Sequence, residues 1–207
     1  MARPADNFRS VIGLTLFFGT TIVGLMIDLW TKALAVAHLQ GQPQARFIPD
    51  WPHFTYTENG GAVFGLGQGR RALFILVSIG AIAFLTYLYA LSEKRRLQQI
   101  FLGMLLAGVL GNMYDRVMFG YVRDMIFALP GFRWPGTWQI GFLNYPAPPD
   151  RIVFPWIFNI ADTLLCVGVF LIVVYSLWQQ WNAPVAAEDS AADAPQPAPQ
   201  KQRHQTT

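Results

Sequence analysis

The sequence predicts an all-α membrane protein with four transmembrane helices and a small β-containing loop region on the extracytoplasmic side. The first observation is composition, since 53% of the residues are hydrophobic and only 13% are charged, as is typical of membrane proteins. The second is four apolar stretches, each near the ~20 residues needed to cross the hydrocarbon layer. The predicted spans cover about residues 11–28, 72–92, 97–115 and 152–181, within one membrane domain at residues 1–182.

The first span has some features of a secretory signal peptide, because Arg3 and Arg9 precede it and Ala33-Leu34-Ala35 imitates a cleavage site. Its apolar run is longer than the roughly 7 to 15 residues of such a peptide. Asp28 and Lys32 also interrupt the chain before the supposed site. We therefore predict a retained helix.

The third and fourth spans and the segment beyond them have further sequence features. Gly103, Gly108 and Gly111 in the third span indicate close helix packing. The fourth span is interrupted only by Asp162. Beyond it, residues 183–207 are rich in Ala, Pro and Gln, a composition that predicts a disordered cytoplasmic tail.

Charge in the loops indicates the orientation. The short basic turn Lys94-Arg95-Arg96 favours the cytoplasm, which places both termini there, although Arg46 and Arg70 weaken this signal from the first outer loop. Four consecutive spans alternate in direction whichever way the first is inserted. The ends of spans one and three and the start of span four therefore share one face.

Two outer loops complete that face. The first, residues 33–70, contains Phe54-Thr55-Tyr56-Thr57 and the turn signal Asn59-Gly60-Gly61, which predict a short sheet or a hairpin. The second, residues 117–151, combines prolines with Trp134, Trp138 and Tyr145. It is typical of an irregular interfacial loop.

Four aspartates lie on this face, at a cost of roughly 2.5 to 3.5 kcal/mol for a carboxylate at a helix centre. Structural explanations exist for each of three. Asp28 and Lys32 are spaced to pair on one helix face, Asp115-Arg116 could be a charged helix end, and Asp162 could be an N-cap. The fourth, Asp124, is a candidate partner for Asp162.

Two aspartates in a poorly hydrated pocket share one proton, so that one accepts a proton from water while the other polarises a carbonyl. No serine, cysteine or histidine arrangement competes with this chemistry. Cys166 is the only cysteine, and His38, His53 and His204 lack metal-ligand spacing. We expect neither a metal nor an organic cofactor.

Five motifs follow one another in order on the four-span layout: Asp28-Leu29-Trp30-Thr31-Lys32, Asn59-Gly60-Gly61-Ala62-Val63-Phe64, Gly111-Asn112-Met113-Tyr114-Asp115-Arg116, Val122-Arg123-Asp124-Met125-Ile126 and Phe158-Asn159-Ile160-Ala161-Asp162. With this motif set the chain resembles the signal peptidase II family of bacterial lipoprotein signal peptidases.

The resemblance implies an aspartyl endopeptidase of the bacterial inner membrane, with its active site towards the periplasm. It would cleave the signal peptide from prolipoproteins just before a diacylglyceryl-modified cysteine. The implied site residues are the catalytic pair Asp124 and Asp162, the substrate-binding residues Asn59, Gly61, Asn112, Arg116, Asn159 and Ala161, and a supporting polar shell of Asp28, Lys32 and Asp115.

The sequence departs from the family pattern in three places. Met125 replaces the usual phenylalanine after the first catalytic aspartate, and Leu29 replaces a frequent glutamine. The segment from about residue 128 to 155 is longer than typical members need. It could form a substrate lid or an interfacial anchor.

Two other function classes are compatible with intramembrane carboxylates. A proton-coupled transporter is disfavoured because the polar groups gather at one face and no inverted repeat is visible. A non-catalytic homologue that binds lipidated peptides is disfavoured because every motif carboxylate is present. We expect a monomer whose partners are the lipidated prolipoprotein and membrane lipids, without nucleic acid.

Overall fold

The structure is a computed structural model that describes residues 10–43, 45–46, 53–61, 69–92, 95–133, 139–140, 143–144 and 152–182. Four helices in it are long and apolar enough to cross a membrane. They are α1 (Val11–Leu39), α2 (Arg71–Leu91), α3 (Arg96–Met118) and α4 (Ile160–Trp181). The predicted fold class is confirmed, and the expected tail at 183–207 lies outside the described residues.

Helix α1 is longer than predicted. It begins after Ser10, whose hydroxyl accepts a hydrogen bond from Gly13 N–H (3.2 Å), and it continues past Asp28 to Leu39. Residues 29–39 contain neither glycine nor proline, so nothing stops the helix before Gly41, which has a φ of 74°. The prediction that the first outer loop begins at residue 33 is therefore wrong.

The beginning of the fourth predicted span is a strand. Residues Ile152–Phe158 form β6, because Pro155 lacks the N–H that a helix interior needs and its β-branched and aromatic neighbours favour extended backbone. Helix α4 begins only at Ile160, after Asn159. The side chain of Asn159 accepts a hydrogen bond from Asp162 N–H (3.0 Å). Asn159, and not Asp162, is thus the N-cap.

The two outer loops meet in one antiparallel sheet. Its order is β1 (Ala45–Arg46), β2 (His53–Asn59), β3 (Val122–Arg133) and β6, and β4 (Gln139–Ile140) pairs separately with β5 (Leu143–Asn144). Strand β2 confirms the sheet alternative for the first loop, since its partners are β1 and β3. The prediction of an irregular second loop is wrong for its described residues 122–133, which form β3. Trp134, Trp138 and Tyr145 lie outside the described residues.

Helix α3 packs against each of the other three helices. A Cβ placed on Gly103 would lie 2.6 Å from the carbonyl oxygen of Phe17 in α1. A Cβ on Gly108 would lie 2.6 Å from the carbonyl oxygen of Ala161 in α4. These approaches confirm that the glycines of the third span serve close helix packing.

An apolar core fills the opposite end of the bundle from Asp28. The ring of Phe17 stacks on Tyr89, with centroids 4.3 Å apart and planes 13° apart, and Leu85, Leu102, Leu105 and Leu106 surround the pair. Phe17 lies in the first half of α1 and Tyr89 in the last turn of α2. The polar and apolar ends of the bundle are therefore separated along the helix axes.

We predict that Gly103→Ala lowers the free energy of unfolding by about 1 to 3 kcal/mol, because the added methyl group must push α1 away. Gly80→Ala is the matched control, since nothing lies within 4 Å of a Cβ at that position. An alanine there gains up to ~1 kcal/mol of helix propensity. Thermal unfolding of both variants in detergent measures the difference, and equal melting temperatures would contradict the packing role of Gly103.

Candidate active site

The structure brings the predicted site residues together where the C-terminal halves of α1 and α3 and the first turn of α4 meet the sheet. Hydrogen bonds and ion pairs connect them into one network. Its members are Asp28, Lys32, Asn59, Gly61, Asn112, Asp115, Arg116, Asp124, Asn159, Ala161 and Asp162. Topology alone predicted a shared face; the contacts make it one site.

Asp124 lies in β3 opposite Thr57 of β2, and it is only 1% exposed. Both of its carboxylate oxygens accept hydrogen bonds from amide side chains. Asn159 Nδ2 donates to Oδ1 (2.6 Å), and Asn59 Nδ2 donates to Oδ2 (3.1 Å). Because the two donors come from different parts of the fold, they fix the orientation of the carboxylate.

Asp162 occupies the first turn of α4 and forms a capping box with Asn159. Its Oδ2 accepts a hydrogen bond from Asn159 N–H (3.2 Å), and its Oδ1 accepts one from Asn112 Nδ2 (2.8 Å). Asn159 therefore contacts both aspartates, with its side chain on Asp124 and its backbone on Asp162. A single residue, Asn159, thus links the two carboxyl groups through hydrogen bonds.

The surroundings of Asp124 oppose its ionisation. Burial raises the pKa of Asp124 to about 7, and the negative charge of Asp162 acts in the same direction. The amide donors of Asn159 and Asn59 and the ammonium of Lys32 act in the opposite direction, because they stabilise the carboxylate. A carboxyl group with this pKa exchanges its proton near neutral pH, as acid–base catalysis requires.

A buried ion cluster lies next to the pair Asp124 and Asp162. The ammonium of Lys32 lies 2.8 Å from Asp28 Oδ2 and 3.2 Å from Asp115 Oδ2, and all three side chains are 0% exposed. The same ammonium donates a hydrogen bond to Asn112 Oδ1 (3.1 Å). The predicted pairing of Asp28 with Lys32 is confirmed. It is joined to Asp162 through the amide of Asn112.

Asp28 also connects α1 to α4. Its Oδ1 accepts a hydrogen bond from the backbone N–H of Ala161 (2.8 Å). Gly111 makes this possible, because a Cβ there would overlap Asp28 Oδ2. Ala161 is itself fully buried, with its carbonyl oxygen directed at Gly108. The small residues of these motifs therefore serve the approach of three helices around Asp28.

Arg116 connects α3 to the first outer loop. Its Nη2 donates to the carbonyl oxygen of Gly61 (2.8 Å), and its guanidinium lies 5.0 Å from the ring centroid of Phe74. Gly61 N–H in turn donates to Asn59 Oδ1 (3.0 Å). The loop residues Asn59 and Gly61 are thus held between Asp124 and Arg116. Residues 62–68, which complete this motif, lie outside the described residues.

Arg123 also belongs to this network, although its place in a motif predicted no role for it. Its Nη2 lies 2.6 Å from Asp115 Oδ1, its Nε donates to the same oxygen (3.2 Å), and its backbone N–H donates to Asp115 Oδ2 (3.0 Å). Asp115 and Arg116 lie in the last turn of α3, as the helix-end interpretation supposed, and Asp115 pairs there with Lys32 and Arg123. The sequence did offer one indication, because Arg123 is a cation that directly precedes Asp124 and lies only a short turn after Asp115.

The arrangement can activate a water molecule. Two carboxyl groups lie in one network and one of them titrates near neutral pH, which is the acid and base division that hydrolysis of an amide requires. Among the described residues, no group of three His, Cys, Asp or Glu side chains is arranged to hold a metal ion.

Comparisons with known proteins agree with this geometry. The family model described as Signal peptidase (SPase) II matches residues 20–178. The lipoprotein signal peptidase of Halothermothrix orenii is 31% identical over 160 residues, covering 77% of this chain and 92% of that protein. The lipoprotein signal peptidase of Rhodopirellula baltica is 33% identical over 182 residues, covering 84% and 74% of the two chains.

A solved structure has the same fold. It is described as a bacterial membrane enzyme, determined by the in meso method at 2.3 Å resolution. Its TM-score is 0.62 at 27% identity, covering 80% of this chain and 90% of that chain. Since the family match spans the whole connected site, this chain belongs to the signal peptidase II family, the lipoprotein signal peptidases.

Proposed function

We propose that the protein is an aspartyl endopeptidase that removes the signal peptide from diacylglyceryl-modified prolipoproteins, just before the lipidated cysteine. Membership of the signal peptidase II family supports the substrate class. One observation carries the aspartyl mechanism. Asn159 donates a hydrogen bond from its side chain to Asp124 and another from its backbone to Asp162, so the two carboxyl groups act from fixed positions.

In the proposed mechanism the two aspartates share one proton at neutral pH. Asp124 carries it, because burial raises its pKa to about 7, and Asp162 takes a proton from the attacking water. The water oxygen bonds to the peptide carbonyl carbon while Asp124 gives its proton to the carbonyl oxygen. The C–N bond then breaks as the leaving nitrogen receives the proton held by Asp162, while one hydroxyl of the tetrahedral intermediate returns its proton to Asp124.

The proposed substrate site surrounds this pair. Arg116 and Gly61 form its outer-loop side, where the guanidinium already holds one peptide carbonyl group. Asn112 and Asn159 orient Asp162 beneath the scissile bond. The full proposed substrate-binding set is Asn59, Gly61, Asn112, Arg116, Asn159 and Ala161, with Asp28, Lys32 and Asp115 as the supporting polar shell.

We propose that this site faces the periplasm from the bacterial inner membrane, with both termini in the cytoplasm. The basic turn at residues 94–96 supports this orientation. Trp30 supports the position of the outer interface, because it is 64% exposed and tryptophan favours headgroup depth. The domain is residues 1–182, followed by a tail at 183–207. It acts as a monomer, with lipidated prolipoprotein and membrane lipids as partners.

A gel-shift assay tests the function directly. Purified protein in detergent is incubated with a diacylglyceryl-modified prolipoprotein and with its unlipidated form. Cleavage of the lipidated form only is the expected outcome. Binding of lipidated substrate without cleavage by the folded wild type would favour the non-catalytic homologue, and proton flux in vesicles that depends on Asp162 would favour the transporter.

We predict that Asp124→Asn and Asp162→Asn each lower kcat by about 10²- to 10⁴-fold, because each removes one member of the acid–base pair. Glu58→Gln is the matched control, since Glu58 is an exposed carboxylate on the adjacent strand. The rate of lipidated-substrate cleavage measures the effect. A folded Asp→Asn variant with wild-type kcat would refute the assignment of that aspartate.

We predict that Arg116→Ala raises KM roughly 10-fold with a smaller change in kcat, because one charged hydrogen bond is worth about 1.5 kcal/mol or more. The outer loop then loses its bond at Gly61. Arg71→Ala is the control, since Arg71 is an exposed arginine bonded to Val117 O. Steady-state kinetics on lipidated substrate separate the two parameters, and an unchanged KM would exclude this role.

We predict that the free energy of unfolding of the wild type falls as pH rises, and that Asp124→Asn removes this part of the pH dependence. The folded-state pKa of Asp124, about 7, lies above its ordinary value of 3.8. Its contribution is therefore fully present below pH 3.8 and is lost as pH rises through 7. The expected loss is a few kcal/mol, on the order of 1.4 per pKa unit. Melting temperatures between pH 4 and 8 measure it, and parallel curves for both proteins would contradict it.

A further inference from the structure

We propose that Arg123 is a positioning residue for the catalytic pair: it anchors the start of β3 to Asp115 and completes the charge balance beneath Asp162 and Asp124. The inference rests on the proposed function, since it concerns the same dyad. It assigns a role to a side chain that contacts neither catalytic carboxyl group.

Arg123 holds Asp115 at three points. Its Nη2 and Nε contact Oδ1 (2.6 and 3.2 Å), and its backbone N–H donates to Oδ2 (3.0 Å). Asp115 is 0% exposed and Arg123 is 7% exposed, so water does not compete for these bonds. Because the backbone N–H takes part, the grip fixes the main chain directly before Asp124.

A second contact holds the same guanidinium. Arg123 Cζ lies 4.4 Å from the ring centroid of Phe119, the residue that ends α3. Gly120, with a φ of 90°, then turns the chain from the helix into the strand. Arg123 therefore packs back on the turn that leads to its own strand. This fixes the angle at which β3 leaves α3.

The grip on Asp115 reaches the other catalytic residue. Asp115 contacts Lys32, Lys32 donates to Asn112, and Asn112 donates to Asp162. On the other side, Asp124 follows Arg123 in the chain and is bonded to Asn159, which also holds Asp162. The contacts form a closed ring in which Arg123 is the connection between the ion cluster and β3.

The charge of Arg123 has its own effect. The buried cluster contains two carboxylates, Asp28 and Asp115, and two cations, Lys32 and Arg123. Without the guanidinium the cluster would carry an excess negative charge close to the dyad. An added negative charge favours the protonated form of a nearby carboxyl group, so the pKa of Asp124 would rise further.

Charged groups reach Asp124 from three helices, while the paired strand β2 contributes the neutral amide of Asn59. Asp162 faces Asp124 from α4 and Lys32 from α1, while α3 contributes Arg116 and Asp115. Lys32 acts to lower the pKa of Asp124, and Asp162 acts to raise it. Loss of Arg123 frees Asp115 to draw the charge of Lys32 away from the dyad. The pKa of Asp124 is therefore expected to rise when Arg123 is lost.

The test compares Arg123→Gln, Arg123→Lys and the control Arg96→Gln, an exposed arginine at the far end of α3. For Arg123→Gln we expect kcat to fall about 10- to 100-fold, as small misplacements of catalytic groups do, with KM little changed. The alkaline limb of the pH–rate profile, where Asp124 loses its proton, should move to higher pH. Arg123→Lys keeps the charge and should keep the wild-type profile with an intermediate kcat, and Arg96→Gln should match wild type.

A double-mutant cycle with Asp115→Asn tests the route. If Arg123 acts through Asp115, Arg123→Gln should add little to the loss already caused by Asp115→Asn. Additive effects, or a lower kcat with an unmoved pH profile in folded Arg123→Gln, would overturn the proposal. Asp124→Asn is assayed in parallel. Its retained activity would refute the dyad, whereas its inactivity beside a normal Arg123→Gln would refute only the role of Arg123.

Discussion

The ammonium of Lys32 is the interaction on which the rest of the site depends. It is fully buried between Asp28 and Asp115 and also bonds to Asn112, so a single side chain of α1 contacts α3 at two positions. Asp28 in turn holds the backbone of Ala161 at the start of α4. Removing one partner from such a buried cluster typically costs about 3 to 5 kcal/mol. Three helix ends therefore share their position through one cation.

The dyad is held by a different kind of interaction. Asn59, Asn112 and Asn159 supply neutral amide donors to the two aspartates. A neutral donor orients a carboxylate without the strong stabilisation that a paired cation would give, so the pKa of Asp124 stays near 7. The charged side chains Asp28, Lys32, Asp115 and Arg123 pair with each other in the neighbouring ion cluster. This separation lets the site be rigid and still exchange a proton near neutral pH.

The sequence predicted the common face of Asp28, Asp115 and Asp162, because alternating spans determine which ends lie together. It did not predict β6, since an apolar run containing Pro155 satisfies the composition of a span until the helix start at Asn159 is considered. Nor did it predict the contacts of Arg123, because a pairing with Asp115 depends on the turn at Gly120. Chain topology was readable from hydropathy, whereas side-chain partners required the packed structure.

The two aspartates also differ in how they are held. One carboxylate oxygen of Asp162 is held locally, by the capping box with Asn159 within one turn of α4, and the other is held by Asn112 of α3. Asp124 lies on a strand that reaches the site only through contacts with residues distant in sequence, such as Asn59. Asp124 thus keeps its position only while β3 keeps its contacts with Asn59, Asn159 and Asp115. The geometry of the pair therefore depends mainly on what holds β3, and the sheet determines whether the dyad is assembled.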